Sequence, residues 1–433
     1  MCYAIPARLV KIEKNIGIVD YFGEKRRVLI DCFPVKVGDY VYAQGGIIIN
    51  KVSEKEAKEI LDAFKEVFFK LKDIDKKLSE INAETSSERL LDILERVNRN
   101  KVLEKEDLLF LLNLKDKKDL ELLYKTANNI RQRTHKNASC VHGIVEFSNF
   151  CKNNCLYCGI KRERNIKRYR LDIEDIIRIV EYSVLKLNFK AIVLQSGEDL
   201  FYDEEKLIYL VSKLKEFNIL IILSIGEREK DLYKKLYSKG ARGVLLRFET
   251  SNKEIFKKLK PDTTLEKRLD LIRYLKELGY ILATGFLVGF LDEKDEDIIN
   301  NILLSKDLNP DMYSFGPFIP EDITQKVKLI DKEIILKITS IIRLLDKDSN
   351  ILVTSASQRL SKGLDRELLL AGANSMMINL TPKEYRDLYC IYDRDFSNLS
   401  IEENIKNTIE LLYSLGRSPT DLGLTNRRFG GEI

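Results

Sequence analysis

The sequence predicts an α/β protein in which a small OB-like β-barrel and connecting helices precede a TIM-type (βα)8 barrel. Two observations carry this prediction. Beyond about residue 140, eight apolar, β-rich runs alternate with stretches whose apolar residues recur at helical spacing, as in a parallel barrel. Before about residue 53, short alternating runs are separated by Gly, Asn and Pro, as in a small β-barrel. A chain of 433 residues has room for both units.

The amino-terminal unit is predicted to contain five short strands followed by one helix. The strands are expected at ARLVKIE, IGIVDYF, KRRVLID, DYVYAQ and IIINKV. The helix is expected over about residues 53–78. We assign residues 1–75 to the small barrel with its helix and 76–133 to a linker and helical lead-in, because a lysine-rich stretch and the polar run INAETSS make the likeliest boundary. Residues 88–133 have the pattern of two or three helices that cap the following unit.

The (βα)8 barrel, with helices at its carboxyl end, is predicted over residues 134–433. Its strands are expected at VHGIVEFS, AIVLQSGE, ILIILSIG, GVLLRFE, ILATGFLVG, DMYSFGPFI, NILVTSAS and NSMMINL. Functional groups of such barrels lie at the carboxyl ends of the strands. The residues at or near these ends are Gln195, Ser224, Arg247, Glu249, Gly289, Thr354 and Met377. We therefore expect these residues to face one cavity.

Composition limits the partners and the compartment. Lys and Arg number 73 against 68 Asp and Glu, a net charge of +5, and charges of both signs alternate along the helical stretches. Neither feature is typical of a nucleic-acid-binding protein. The start of the chain lacks the pattern of a signal peptide, and no apolar run approaches the roughly 18 residues of a membrane span. Seven cysteines in such a chain favour ligands or reactive thiols in a reducing compartment. We expect a cytoplasmic protein without a membrane partner.

The segment CKNNCLYCG, residues 151–159, carries the strongest chemical signal. Cys151, Cys155 and Cys158 lie on one short loop, where three thiolates can hold three corners of a 4Fe-4S cube and leave the fourth iron open to a small molecule. The alternatives are a zinc site or unrelated buried cysteines. A structural zinc site needs a fourth ligand, and the nearest histidine, His142, precedes the loop. Tyr157 is suited to contact the adenine of a nucleotide-like ligand, or else it fills the core.

Residues 88–433 resemble the radical SAM enzymes, and within them the FeFe-hydrogenase maturases of the HydE family. The blocks that carry the resemblance are EFSNFCKNNCLYCGIKRERNIKRYRL, VLQSGED, LLRFETSN, KLKPDTTLEKRL, GPFIP and TPKEYRDLY. The resemblance implies that Cys151, Cys155 and Cys158 ligate a 4Fe-4S cluster whose open iron is chelated by S-adenosylmethionine. It also implies reductive cleavage of S-adenosylmethionine to methionine and a 5′-deoxyadenosyl radical, which must be shielded inside the barrel.

The resemblance also implies roles for residues at the strand ends. Arg247 and Arg268 would pair with the methionyl carboxylate, Glu249 would accept from the ribose or amino end, and Gln195 and Ser224 would lie nearby. An Arg-x-Glu pair suits a zwitterionic ligand in any case, although an internal ion pair is the alternative. The positions that resemble the inner cavity of the family, where a substrate would bind, are Thr354, Ser355, Met377 and Tyr385.

The sequence departs from the maturase pattern in two places. His142 stands where the family usually has an arginine on the first strand, so an anion held there by a bidentate fork would be held differently or not at all. The optional second cluster of the family is expected to be absent, because Cys390 is the only cysteine beyond Cys158. We expect Cys390 to be a packed thiol.

Residues 1 to about 75 resemble the HypC family of NiFe-hydrogenase assembly chaperones, through MCYAIPARLVKIE and GEKRRVLIDCFPVKVGDYVYAQGG. If the initiator Met is removed, the thiol and free amine of Cys2 are expected to bind an iron complex, as the family is understood to do; a buried small thiol is the alternative. Gln44 occupies what resembles the histidine position of the family, and Cys32 is expected in the core. The fusion predicts that both units act on one pathway, with hydrogenase maturation proteins as partners.

Three functions remain compatible with the sequence. The first is HydE-like maturation of an iron cofactor, with a small molecule or an iron complex as substrate. The second keeps the radical enzyme but changes the substrate, as in a methylornithine synthase-type mutase or a maturase of the iron-guanylylpyridinol hydrogenase. The third is a noncatalytic iron carrier. Sulfur insertion of the biotin synthase type is disfavoured, because it needs a second cluster and only Cys140 and Cys390 accompany the triplet in the barrel.

Overall fold

The structure is a computed structural model that describes residues 5–31, 33–319, 330–392 and 399–420. Cys2 and Cys32 lie outside the described residues, so the expectations for these two thiols stay predictions. The fold class predicted from the sequence is confirmed, because a five-stranded closed barrel (the small barrel) precedes an eight-stranded closed barrel (the large barrel).

The small barrel contains the five strands that the alternating pattern predicts. They are β1 (Ala7–Glu13), β2 (Ile16–Tyr21), β3 (Glu24–Leu29), β4 (Tyr40–Gln44) and β5 (Ile47–Val52). They close in the order β1-β2-β3-β5-β4. Every second side chain points inward, so Leu9, Val19, Val28 and Val41 form its core.

Four helices follow the small barrel. They are α1 (Glu54–Leu78), α2 (Glu88–Asn98), α3 (Lys105–Leu112) and α4 (Lys117–His135). The side chain of Ser53 caps α1 by accepting from the backbone N–H of Glu56, and Phe68 on α1 packs into the core of the small barrel. The division predicted at residue 75 falls inside α1 and stays a prediction.

The large barrel is formed by eight parallel strands. The strands of this region are β6 (Cys140–Ser148), β7 (Ala191–Ser196), β8 (Leu220–Ser224), β9 (Ala241–Leu245), β10 (Ile281–Thr284), β11 (Leu287–Val288), β12 (Met312–Tyr313), β13 (Gly316–Pro317), β14 (Asn350–Val353) and β15 (Ser375–Asn379). The order around the barrel is β6-β7-β8-β9-β10-β12-β14-β15, while β11 and β13 pair separately. The predicted runs ILATGFLVG and DMYSFGPFI are thus each divided between a barrel strand and this outer pair.

Helices surround the large barrel as the alternation predicts. They are α5 (Ile173–Leu185), α6 (Glu204–Lys215), α7 (Lys230–Lys239), α8 (Lys253–Leu259), α9 (Leu265–Glu277), α10 (Asp295–Asp307), α11 (Lys332–Leu345), α12 (Ser355–Leu360), α13 (Leu364–Leu370), α14 (Lys383–Arg386) and α15 (Ile401–Ser414). Within the described ranges, none of the helices is long and apolar enough to cross a membrane.

The small barrel docks on the amino-terminal end of the large-barrel strands, which we call the floor. Ile47 and Ile49 of the small barrel share one apolar cluster with Leu220, Ile222 and Ile281 of the large barrel. Because Leu220 and Ile281 begin their strands, this contact closes the floor. The carboxyl ends of the strands remain for the site.

A buried ion network fastens α1 to the large barrel. Arg131 on α4 donates to both carboxylate oxygens of Asp75, at 2.7 and 2.8 Å. The Nε of Arg417 lies 2.9 Å from the same carboxylate. All three side chains are almost completely buried. Burial and the neighbouring Arg131 lower the pKa of Arg417 to about 9. One carboxylate therefore compensates two buried guanidinium groups.

We expect Asp75→Asn to lower the free energy of unfolding by about 3–5 kcal/mol, because it leaves two buried cations without their counter-charge. Urea unfolding monitored by circular dichroism measures the change. The matched control is Glu54→Gln, which removes the exposed Glu54–Lys58 pair of the same helix and should cost less than about 1 kcal/mol. Equal effects of the two substitutions would contradict this account of the network.

Gly45 generates a second prediction, because its φ is +56° and a β-carbon there would lie 2.5 Å from Cδ1 of Ile281. Gly23 also has a positive φ, +87°, but has no neighbouring atom within 4 Å. Gly23→Ala should cost about 1–2 kcal/mol of backbone strain. Gly45→Ala should add about 1–3 kcal/mol of overpacking at the floor. Urea unfolding of both variants tests the difference, and equal values would mean that the floor contact is loose.

Candidate functional site

The upper half of the large barrel is lined by polar side chains from neighbouring strands. Glu146, Gln195 and Ser224 lie side by side in the register of β6, β7 and β8. The Ser224 hydroxyl lies 3.4 Å from Oε1 of Gln195, and Nδ2 of Asn379 donates to Glu146 at 2.8 Å. Sequence reasoning identified Gln195 and Ser224 but missed Glu146 and Asn379. The available signal for Glu146 was an acidic residue inside the apolar run VHGIVEFS.

The cysteine loop, residues 149–170, follows β6 and is held by backbone hydrogen bonds to three other parts of the barrel. The N–H of Lys152 donates to the carbonyl of Glu198 at 3.0 Å. The N–H of Leu156 donates to Leu259 at 2.9 Å, and that of Gly159 donates to Ile391 at 2.7 Å. The positions of the three cysteines are therefore fixed by the barrel and not by the loop alone.

Arg168 braces the same loop from within. Its guanidinium donates to the carbonyls of Asn149, Ile160, Lys161 and Arg164 over distances of 2.5–3.0 Å. These bonds draw the start and the end of the loop together around one planar group, a geometry that a lysine cannot reproduce. Sequence reasoning did not identify Arg168, since its contacts are with backbone atoms and leave no pattern in the sequence.

Two of the loop thiols, Cys151 and Cys158, lie in an environment that opposes ionisation unless a cation is present. Burial raises the pKa of Cys151, and burial together with Cys155 raises the pKa of Cys158 to about 12. The buried Nζ of Lys260 lies 3.4 Å from Sγ of Cys155. Thiols of this kind ionise when a metal binds them, with release of the proton. Lys260 was not identified from the sequence.

The donor set of the cysteine loop is suited to an iron-sulfur cluster. In the described part of the chain, no group of three or more His, Cys, Asp or Glu side chains is arranged to hold one metal ion. A structural zinc site would need four such ligands around one centre. Three thiolates that bind different irons of a cube do not have to meet at one point. The zinc alternative therefore receives no support from the geometry, whereas three thiols on one braced loop fit a cluster.

Tyr157 lies on the cysteine loop, near Cys155 and near Glu249, which follows β9. Its ring packs with Ile255, Leu287 and Phe290. Burial and the negative charge of Glu249 raise its pKa well above the ordinary value for a tyrosine. The ring therefore does fill an apolar cluster, as the alternative interpretation expects, and it does so next to the predicted site.

Five charged residues that follow the strand ends form ion pairs with one another. The Nε of Arg247 lies 3.4 Å from Glu249. Arg268 lies 2.9 Å from Glu227 and 3.9 Å from Glu198. Burial opposes the charge of Arg268, but Glu227 and Glu198 outweigh it and raise its pKa. Arg247 and Arg268 thus both form internal ion pairs, which is the alternative to ligand binding.

Two acidic residues of this group were missed, although each follows a strand end. Glu198 and Glu227 come directly after Gly197 and Gly226, and acidic residues in that position were the available signal. Burial raises the pKa of Glu198, but Arg268 and other nearby cations outweigh this effect and lower it. Both carboxylates are therefore suited to accept from cationic or N–H groups.

Glu249 has a φ of +70°, which is rare for a side chain of its type. The backbone is held in this conformation on both sides, because its N–H donates to Gly285 at 3.2 Å and its carbonyl accepts from Leu287 at 2.9 Å. Strained residues that the surroundings enforce concentrate at functional sites. The backbone conformation of Glu249 therefore supports its prediction as a site residue, separately from the sequence.

The remaining predicted residues lie in three different places. Thr354 directly follows β14, and its hydroxyl lies 3.1 Å from that of Ser357. Tyr385 packs against Tyr169, with ring centroids 5.1 Å apart. Met377 lies lower, next to His142 in the register of β15 and β6, in a cavity at the floor. The expectation that all strand-end residues face one cavity is not supported for Met377.

Comparison with protein families identifies both units. The family model described as the Radical SAM superfamily matches residues 145–304, and that of the HupF/HypC family matches residues 1–64. The [FeFe] hydrogenase maturase subunit HydE of Thermotoga maritima is 36% identical over 76% of this chain and 95% of its own length. The 3-methylornithine synthase of Methanosarcina barkeri is 30% identical over 72% of this chain and 89% of its own length.

Solved structures agree with these matches. The crystal structure of methylornithine synthase (PylB) is similar with a TM-score of 0.67 and 28% identity, over 76% of this chain and 97% of that chain. The structure of HydG, a maturase of the [FeFe]-hydrogenase, has a TM-score of 0.60 at 20% identity, over 72% of this chain and 71% of that chain, and shows the shared fold. The chain belongs to the radical SAM superfamily, as a radical SAM enzyme similar to HydE and 3-methylornithine synthase that carries a HupF/HypC-family segment at its amino-terminal end.

Proposed function

We propose that this radical SAM enzyme acts in the assembly of a hydrogenase iron centre, on a small iron complex or on the amino acid that carries one. The observation that carries the proposal is the combination of units. A barrel similar to HydE and a segment of the HupF/HypC family occur in one chain and pack against each other through a shared apolar cluster. HydE is named as an [FeFe] hydrogenase maturase, and the amino-terminal segment resembles a family of hydrogenase assembly chaperones. The covalent link raises the effective concentration of one unit near the other.

Cys151, Cys155 and Cys158 would hold the 4Fe-4S cluster, and Lys260 would lie beside one of the ligating sulfurs. When bound, the cluster and S-adenosylmethionine supply reductive cleavage of the sulfonium bond, which yields methionine and a 5′-deoxyadenosyl radical. Arg168 would hold the cysteine loop in one conformation. Lys260 contributes a buried positive charge, which stabilises thiolate character in the loop.

S-adenosylmethionine would bind between the cysteine loop and the ends of β7, β8 and β9. Arg247 suits the methionyl carboxylate better than Arg268 does, because it is partly exposed and its pair with Glu249 is longer, 3.4 Å, whereas Arg268 is buried and pairs with Glu227 at 2.9 Å. Glu249 would accept from the amino or ribose end, with Tyr157 at the adenine. Gln195 and Ser224 would complete this wall of the site.

The substrate would bind in the polar upper half of the barrel. Glu146 and Asn379 form a partly buried acceptor and donor pair there, and Thr354 presents a hydroxyl just after β14, the strand next to that of Asn379. These groups suit the amino and carboxylate ends of an amino acid. Tyr385 supports Tyr169, whose hydroxyl donates to the carbonyl of Glu146 at 2.7 Å. The closed wall excludes water from a reactive radical.

The amino-terminal unit would bind or transfer an iron complex through Cys2 and dock hydrogenase maturation proteins. Gln44, at the position resembling the family histidine, is only 3% exposed and lies next to the floor contact. An exposed metal site that uses this side chain is therefore disfavoured, and Cys2 would have to act without it. The reliance on thiol ligands fits a reducing cytoplasm.

Two other functions stay in competition for specific reasons. A mutase acting on an amino acid, or a maturase of the iron-guanylylpyridinol hydrogenase, is favoured by the similarity to methylornithine synthase. His142 replaces the arginine of the maturase pattern, so a substrate anion need not be bound at that level of the barrel. A carrier that binds the cluster without turnover is the third possibility.

A turnover assay separates the three. After anaerobic reconstitution with iron and sulfide, dithionite and S-adenosylmethionine are added, and 5′-deoxyadenosine is measured with and without cysteine or an iron-cysteine carbonyl complex. We expect formation that increases with the iron complex and falls to background in Cys155→Ala, because that variant removes a cluster ligand. Cys390→Ser is the matched control, since this thiol is outside the triplet, and it should retain turnover.

The outcomes assign the function. If 5′-deoxyadenosine formation is unchanged by the iron complex but increases with an amino acid, the enzyme is a mutase and the maturase proposal is wrong. A loaded cluster without any 5′-deoxyadenosine would favour the carrier. Full turnover by Cys155→Ala would overturn the assignment of the cluster ligands themselves.

Lys260→Met should shift the reduction potential of the cluster to more negative values. Removing a buried positive charge disfavours the added electron, and Coulomb's law at an effective dielectric of about 20 predicts a change on the order of 100 mV. A redox titration followed by electron paramagnetic resonance measures the potential. Lys152→Met is the control, because this lysine lies on the same loop but is largely exposed, 3.5 Å from Glu198, and its charge is screened. Equal shifts in the two variants would contradict the role of Lys260.

A further inference from the structure

A small cavity at the floor of the large barrel is lined by several side chains that carry soft donor atoms. Its volume is about 20 Å³, which is enough for one atom the size of a water oxygen. Cys140, His142, Met312 and Met377 line it, together with the backbone of Gly45 from the small barrel. The whole sequence has only two histidines and four methionines. One histidine and two methionines therefore meet in one cavity, which simple filling of a barrel core does not require.

The thiol and the imidazole are spaced as ligands of one ion. Sγ of Cys140 and Nε2 of His142 are joined by a hydrogen bond of 3.3 Å, so an ion bound to both would take the place of its proton. Bonds of about 2.3 Å to sulfur and about 2.0 Å to nitrogen, at a tetrahedral angle, separate two such ligand atoms by about 3.5 Å. The two residues are i and i+2 on β6, so both point into the barrel. An ion can therefore bind both atoms with little movement of the backbone.

The thioethers lie on the strands next to this pair or across from it. Met377 is the register partner of His142, and Ser375, the partner of Cys140, donates to Sδ of Met312 at 3.9 Å. The carboxylate of Asp311, the nearby hard donor, is engaged with Nζ of Lys276 and the N–H of Leu282, each at 2.8 Å. Asn350 also lines the cavity, and its amide oxygen accepts from Nδ2 of Asn374 at 2.7 Å. The remaining donors that line the cavity are thiol, imidazole and thioether.

We propose that this floor cavity binds a single soft metal ion in a low oxidation state, held by the thiolate of Cys140, the imidazole of His142 and the thioethers of Met312 and Met377. Soft sulfur donors select such ions over magnesium or calcium. On binding, the Cys140 thiol loses its proton to solvent as the metal–sulfur bond forms. The site is separate from the cysteine loop, and the proposal holds whichever substrate the enzyme uses.

The turn between β4 and β5 closes this cavity from below, so the ion would bind where the two units meet. A β-carbon at Gly45 would lie 2.5 Å from Ile281 and 3.1 Å from Leu220, two residues that also line the cavity. The ion would therefore be covered by the small barrel, and its exchange would require the contact between the two units to open.

Copper(I) is the probe that tests the proposal. The full chain is prepared with Cys2, Cys151, Cys155 and Cys158 replaced by Ala, so that neither the amino-terminal thiol nor the cysteine loop competes. Copper(I) affinity is then measured anaerobically by competition with a chromogenic chelator. In this background we compare Met377→Leu with Met376→Leu. These neighbours differ in direction, since Met377 faces the cavity and Met376 faces the helices outside the barrel.

We expect Met377→Leu to weaken copper(I) binding by at least about tenfold, equivalent to about 1.4 kcal/mol, and Met376→Leu to leave it unchanged. Cys140→Ser should abolish the tight site. Copper K-edge absorption should show sulfur and nitrogen ligands, with the nitrogen lost in His142→Phe. Circular dichroism and thermal unfolding verify that each variant is folded. Identical affinities for Met377→Leu and Met376→Leu, or tight binding that survives in folded Cys140→Ser, would overturn the proposal.

Discussion

The contact between the small barrel and the floor of the large barrel is the constraint on which the rest of the structure depends. An eight-stranded barrel has two ends, and a radical enzyme needs one of them closed to solvent. Here Ile47 and Ile49 of the small barrel extend the apolar interior that begins with Leu220 and Ile281. The turn at Gly45 fits against the same two residues. With the floor closed in this way, the other end of the barrel, where the cysteine loop lies, is left for the polar groups Glu146, Gln195 and Ser224.

The alternation of side chains along each strand determines which residues line the barrel interior at each level along its axis. On β8, Leu220 and Ile222 face the floor cluster, whereas Ser224 reaches the polar upper half. The same progression occurs on β7, from Val193 to Gln195. Inward positions are two residues apart, so one apolar layer is enough to separate the two ends. A single strand thus contributes apolar side chains to the floor and a polar side chain to the candidate site.

Much of this could be predicted from the sequence, because it depends on local patterns. The strands of both barrels and the inward position of Gln195 and Ser224 follow from alternation. The contacts of Lys260 with Cys155 and of Arg268 with Glu227 join parts of the chain far apart in sequence, and periodicity carries no information about them. The floor contact was missed for another reason. An apolar side chain that packs against a second unit has the same pattern as one that packs inside its own, so Ile47 gave no separate signal.

The apolar layer also limits how the two ends of the barrel can communicate. Val193, Ile222 and Leu245 belong to clusters below the polar half, and Ile222 and Leu245 also line the floor cavity. A charged complex cannot cross such a layer without losing its hydration. Passage along the barrel axis would therefore require these side chains to move or the travelling species to be neutral. A compact metal fragment without net charge meets the second condition, whereas a free hydrated ion does not. If the proposed floor site and the upper site both bind metal, they must therefore act independently or exchange a neutral complex.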